Sequence, residues 1–197
     1  MVQVALELYT AMHVLVGTVE TGRLRLSDYL NDKDVGVVPL QEAWVADLAR
    51  PGAEPLLLQP ANFRKQDVIV AVATDGREAV GNQRPGWVRT RPIEVAASAG
   101  PYLVQGQLHV QAGASFDVRR LFGPESRTFV PLTDASVRYT PNPRVDARYG
   151  VLLLRTDKVE FSGLVAEAGA ASIPMLGLAI RERLRSLIAG NQRDDEG

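Results

Sequence analysis

The 197-residue chain contains no cysteine. That excludes thiol nucleophiles, thiolate metal sites and a disulfide framework. Histidine is nearly absent too. His13 and His109 lie in strand-like patterns, where a surface or satisfied-core role is the expectation. A Gly-x-Ser-x-Gly elbow is missing, so the common serine hydrolase arrangement has no support. No run of about 18 apolar residues is present, so no bilayer-spanning helix is expected. The N-terminal MVQVALELYTAMHVLVGTV is apolar but lacks a basic leader and is interrupted by Glu7 and His13. A secretory signal is therefore not expected, and a cytoplasmic location is. Net charge is −1, which argues against a general nucleic-acid or membrane-surface binder.

Hydrophobic residues make up 46% of the chain, enough for a buried core. A repeat organises them. Val38 to Val45 reads VPLQEAWV, and Val130 to Val137 reads VPLTDASV. Gly17 matches Gly106 at an offset of 89, Pro39 matches Pro131 at 92, and Asp67 matches Asp157 at 90. Several landmarks in one order point to an internal duplication.

Each unit reads mainly as strands. Val4, Leu6 and Leu8 alternate with polar or small residues, as do Val14, Val16 and Thr18, with a hairpin near Thr10 to Met12. Gly17 and Gly106 inside strands suggest bends or close backbone approaches. Leu26, Tyr29 and Leu30 predict a short helix that Asn31 stops, and Phe116 to Leu121 is its second copy. In the VPL strand, Val38, Leu40 and Glu42 should share one face and Pro39, Gln41 and Ala43 the other. Leu40 and Leu132 are expected core residues. Ser172 as N-cap, Pro174, an apolar stripe from Leu176 to Ile188 and Gly190 predict a C-terminal helix of about four turns at 3.6 residues each. It is expected to pack within the chain.

The sequence thus predicts a mainly β protein of two tandem small β-barrel-like units plus a C-terminal amphipathic α-helix. The first unit spans residues 1–73, a linker 74–92, the second unit 93–168 and the helix 172–190. The glycine-bearing strand, the mid-unit strand and the strand pairs around Phe63 to Ile69 and Leu153 to Val159 resemble Sm-like and SH3-like barrels. Where the Sm signature has an arginine-glycine pair, this chain has Arg64-Lys65 and Arg155-Thr156. The glycine strand, the L-S-D-x-L-N helix and the P-L-x-D-A strand resemble an uncharacterised bacterial family of duplicated small β domains. That resemblance implies a fold and no activity.

Two sequence stretches resemble ligand loops without completing them. Gly17 to Leu24 has P-loop glycine spacing but lacks the phosphate-binding Lys and the Ser/Thr that holds magnesium. Asp32 to Gly36 hints at a calcium loop, but its twelfth position would be Ala43 instead of a bidentate Glu. No catalytic, cofactor or metal site is assigned. The acids Glu42, Asp134, Asp67 and Asp157 repeat, and turn or strand-end hydrogen bonds are their expected role.

The arginines carry the one candidate ligand site. Arg84 to Arg155 holds ten Arg, no Lys and five acids. Within it, Arg84, Trp87, Arg89 and Arg91 combine phosphate-binding guanidiniums with a stacking ring. Three functions follow as expectations. The first is a non-catalytic binding or assembly module with a protein partner or itself. The second is RNA or single-stranded DNA binding through residues 84–155. The third is an enzyme with a site at the seam between units.

Overall fold

The computed structural model describes residues 2–75, 89–113 and 127–165. These belong to one unit that ends at Val165. Arg84, Trp87, the second-copy helix and the C-terminal helix lie outside the described residues.

The fold is mainly β. Strand β1 (Val2–Tyr9) and β2 (His13–Gly22) form the predicted hairpin. Its turn is fastened by Thr10, whose hydroxyl accepts the amides of Met12 and His13. Val4, Leu6 and Leu8 alternate inward and are buried. Burying each such side chain favours folding by roughly 1.5–3 kcal/mol. Helix α1 (Leu26–Asn31) follows. At six residues it is too short to stand alone, and Leu26 and Leu30 anchor it in the core.

The VPL strand is broken into β3 (Val37–Leu40) and β4 (Ala43–Asp47). Val38, Leu40 and Ala43 are all buried, whereas Glu42 is exposed. Strict alternation would have turned Ala43 outward. The break at Gln41-Glu42 inserts one residue and resets the phase, as a bulge does. Next come β5 (Leu56–Leu58), β6 (Ala61–Arg64), a 3-10 turn (Lys65–Asp67) and β7 (Val70–Ala73). Pro60 lies at the junction of β5 and β6, where a residue without an amide proton interrupts no ladder.

The second half has β8 (Thr90–Ala99), β9 (Tyr102–Gln111), β10 (Phe129–Tyr139), β11 (Asp146–Arg155), a 3-10 turn (Thr156–Lys158) and β12 (Val159–Leu164). Residues 90–92, expected in the linker, begin β8. Leu132 is buried, as Leu40 is.

Ten strands join in one antiparallel sheet of order β12-β8-β9-β10-β11-β7-β1-β2-β4-β5, and β3 pairs with β6 beside it. The expected two separate barrel-like units are replaced by this continuous pairing. The junction is β11 against β7, where Leu153 faces Ala71 and Leu154 faces Val70. Each strand would otherwise present an unpaired edge, and pairing satisfies both rows of backbone groups.

The registers on either side of the junction correspond. Leu6 faces Gly17 in the first hairpin, and Val95 faces Gly106, each partner 89 positions on, in the second. Leu6 also faces Ala73, and Val95 faces Leu164, 91 positions beyond Ala73. Val37 faces Arg64, and Phe129 faces Arg155. The two glycines serve one purpose. A Cβ at Gly17 would lie 2.2 Å from the Glu42 carbonyl oxygen, and one at Gly106 would lie 2.8 Å from the Ala135 Cβ. Only glycine lets the third strand of each half cross so close. The bulge recurs there too. β10 shifts register between Thr133 and Ser136, and Asp134 takes a left-handed φ of 47°.

Two clusters of buried side chains form the core, and each spans the junction. Phe129 and Leu153 pack with Leu6, Leu8, Leu30 and Leu40. Tyr9, Ile69 and Val70 pack with Tyr102, Leu132 and Leu154.

Candidate functional site

The densest polar chemistry lies where the halves meet. Glu7 and Tyr9 lie on β1 and Tyr149 on β11. The Glu7 carboxyl accepts the Tyr9 hydroxyl at 2.9 Å and the Tyr149 hydroxyl at 2.6 Å, and the two phenols also touch each other. Tyr102 donates to the Thr10 carbonyl and Tyr139 to the Ala11 carbonyl. The rings stack edge to face or tilted, with centroids 5.9 Å apart for Tyr9–Tyr102, 6.4 Å for Tyr9–Tyr149 and 5.5 Å for Tyr102–Tyr139. Four of the five tyrosines are thus gathered at the seam.

Burial pushes the Tyr9, Tyr102 and Tyr149 phenols well above the usual tyrosine range, and the neighbouring Glu7 adds to this for Tyr9 and Tyr149. Phenols held protonated donate hydrogen bonds and do not act as bases near neutral pH. Every hydroxyl here already donates to a group of the protein. The cluster therefore fixes one half on the other. Sequence patterns gave no warning of it, because its members come from four strands. The only available signal was the placement of Tyr9, Tyr102 and Tyr139 beside hairpin turns.

Arg155 is the second seam group and is buried. Its guanidinium grips Asp157 through Nε and Nη2, donates from Nη1 to the Lys65 carbonyl of the first half, and lies 5.6 Å from the centre of the Phe129 ring. The hydrogen bonds from Arg155 hold the Asp157 carboxyl below its ordinary range. Partial burial and the Arg155 charge lower Lys65 in turn. The proposed equivalence of Asp67 and Asp157 is off by one residue. The 3-10 turns start directly after Arg64 and Arg155, so Gln66 occupies the place of Asp157 and Asp67 that of Lys158.

The candidate nucleic-acid residues are only partly visible. Arg89 and Arg91 are exposed at the start of β8. Among the other exposed arginines, Arg138 lies away from them. Arg91 is level with Val110 on β9, and Arg138 is level with Leu103. Those levels are seven residues apart along one strand, roughly 20 Å or more at the strand rise. Arg138 is engaged by Asp146 at 3.0 Å.

The remaining candidates are dispersed over the sheet and its turns. His109 meets the Thr133 hydroxyl at 2.8 Å, and His13 is exposed in the β1–β2 hairpin. Asp32 accepts the Asp34 amide in a turn. Glu42 and Asp134 mark the two bulges. Among the described residues no three acids or histidines converge to hold a metal ion, and no helix is long and apolar enough to cross a membrane.

The sheet ends are different in kind. Among the described residues, β12 pairs only with β8, β5 only with β4 and β6 only with β3. Large apolar side chains stand out there: Phe161 is 62% exposed and Leu164 57% on one end, Leu56 60% and Trp44 49% on the other. No family model matches the chain, and neither a curated protein nor a solved structure matches it.

Proposed function

We propose that the chain is a non-catalytic assembly module built from a duplicated small β unit, and that it works through the two ends of its sheet. The carrying observation is a pair of strand edges without a neighbour among the described residues: β12 with Phe161 and Leu164 at one end, and β5 and β6 at the other, where Leu56, Leu57 and the adjacent Trp44 of β4 are exposed. Exposed strand edges invite pairing with another strand, and exposed apolar groups favour a partner that buries them. The corresponding hairpin registers, glycine crossings and bulges support the duplication. With β3–β4 and β5–β6 each counted as one interrupted strand, the counterparts of β10 and β11, each half has five strands with a tight turn before the last, in accord with the small-barrel resemblance. The seam supports a scaffold over a catalyst, because Glu7, the tyrosines and Arg155 are spent on bonds within the chain. Arg89 and Arg91 lie away from Arg138, and that separation favours assembly over nucleic acid.

The test is site-specific photo-cross-linking of the full chain in the cells that make it. A benzophenone side chain at position 57 or 161 should give discrete protein adducts, and one at the exposed Arg148 should not. Absence of adducts at both edges would overturn the assembly reading.

A further inference from the structure

We infer that the partner at these edges is a second copy of this chain, joined head to tail so that β6 of one copy pairs antiparallel with β12 of the next. The inference rests on the assembly reading and names its partner. The geometry already exists inside the chain. There the fourth strand of the second half, β11, pairs with the fifth strand of the first half, β7. Two strands that have one neighbour each among the described residues are the complementary pair: β6, the second part of the first half's interrupted fourth strand, which pairs with β3 beside the ten-stranded sheet, and β12, the fifth strand of the second half, which ends that sheet. Such an interface is heterologous, so it can be repeated from copy to copy.

The internal junction predicts the register. Counterparts on these strands are 91 positions apart, as Arg64 and Arg155 or Ala73 and Leu164 show. Leu153 opposite Ala71 becomes Asn62 opposite Ser162 of the next copy. Leu154 opposite Val70 becomes Phe63 opposite Phe161. The Arg155 amide donates to the Ile69 carbonyl at 2.9 Å, so that pair becomes Arg64 opposite Glu160. The substituted pairs are complementary: two polar side chains, two aromatic rings and one pair of opposite charges. Cross-strand pairs of these kinds stabilise a sheet.

Burial and charge agree with this register. Val70, Ala71, Leu153 and Leu154 are at most 1% exposed at the internal junction. Their counterparts Phe161 and Asn62 are exposed, and Ser162 and Phe63 are half-buried. Inside the chain, Asp157 clamps Arg155 from the same turn. Gln66 stands at that place in the first half, so the carboxylate facing Arg64 comes from Glu160 of the neighbouring copy.

The absence of native cysteine permits a clean test. Full-length Asn62→Cys and Ser162→Cys are prepared separately, checked for unchanged melting, and oxidised alone and mixed. A cross-linked dimer should form in the mixture far in excess of either variant alone, because head-to-tail pairing brings unlike edges together. In sedimentation, Glu160→Lys should weaken self-association of the full chain several-fold, and Arg64→Glu with Glu160→Lys should restore it. A wild-type chain that stays monomeric at high concentration, or cross-links that form equally in a single variant, would overturn the inference. Edge adducts to other proteins from a monomeric chain would sink self-association while leaving the assembly reading intact.

Discussion

Asn31 and the Phe129 backbone form a two-way clasp between the first half and the second. The Asn31 side-chain oxygen accepts the Phe129 amide at 2.9 Å, and its nitrogen donates to the Phe129 carbonyl at 2.9 Å. A third bond ties the same nitrogen to the Ser27 carbonyl in α1. One amide side chain thereby acts as a strand neighbour for β10, ninety-eight residues away. A residue that reads in sequence as a helix stop turns out to join two halves of the protein.

Replacing it should therefore cost more than a helix cap. Asn31→Ala leaves the amide and carbonyl of the buried Phe129 without these partners and is expected to destabilise by about 1–3 kcal/mol in urea unfolding. Asn31→Asp keeps the acceptor but turns a carboxylate oxygen toward the Phe129 carbonyl. It should be comparably damaging at neutral pH and recover part of the loss in mild acid, where the carboxyl can donate. An Asn31→Asp variant as stable as the wild type at pH 7 would contradict the clasp.

Gly17 is set by close approach and Gly36 is not. A methyl at Gly17 would overlap the Glu42 carbonyl, which belongs to the backbone and cannot rotate away. Gly17→Ala should lose about 1–3 kcal/mol or more through forced separation of β2 from the β3–β4 bulge. Gly36 has no heavy atom within 4 Å of a built Cβ and no left-handed φ. Gly36→Ala should be neutral or stabilise by about 0.4–1 kcal/mol. Equal thermal midpoints for the two variants would remove the crossing as the reason for the glycine.

The tyrosine cluster predicts how stability responds to alkali. The folded-state pKa values of Tyr9, Tyr102 and Tyr149 are raised, chiefly by burial. Their contribution is fully present below the unfolded tyrosine value of about 10. It falls as pH climbs above that value, because the unfolded chain releases protons that the folded one retains. Urea midpoints should thus be level between pH 8 and about 9.5 and drop beyond. Tyr149→Phe should be less stable at pH 8, having lost its bond to Glu7, and should show a shallower alkaline decline. An unchanged slope would mean that Tyr149 is solvated in the folded protein.

Much of the architecture is local and therefore legible in the sequence. Alternation at Val4, Leu6 and Leu8 fixes which face of β1 turns inward, because side chains in a strand have period two. The Leu26–Leu30 stripe and Asn31 set the length of α1. The recurrence of Gly17 and Pro39 as Gly106 and Pro131 places matching strands in the two halves. Alternation failed at Ala43, where the bulge depends on a neighbouring strand crossing over Gly17.

What the tertiary structure alone decided is how the halves meet. No local pattern says that Leu154 will face Val70, that Tyr149 will reach Glu7, or that Arg155 will donate across to Lys65. Those contacts join residues about 80 to 140 positions apart, as the backbone groups of two open edges are satisfied together. Sequence periodicity records which face of a strand is apolar. It carries no record of which strand lies beside an edge, because the edge bonds with backbone groups that every residue shares.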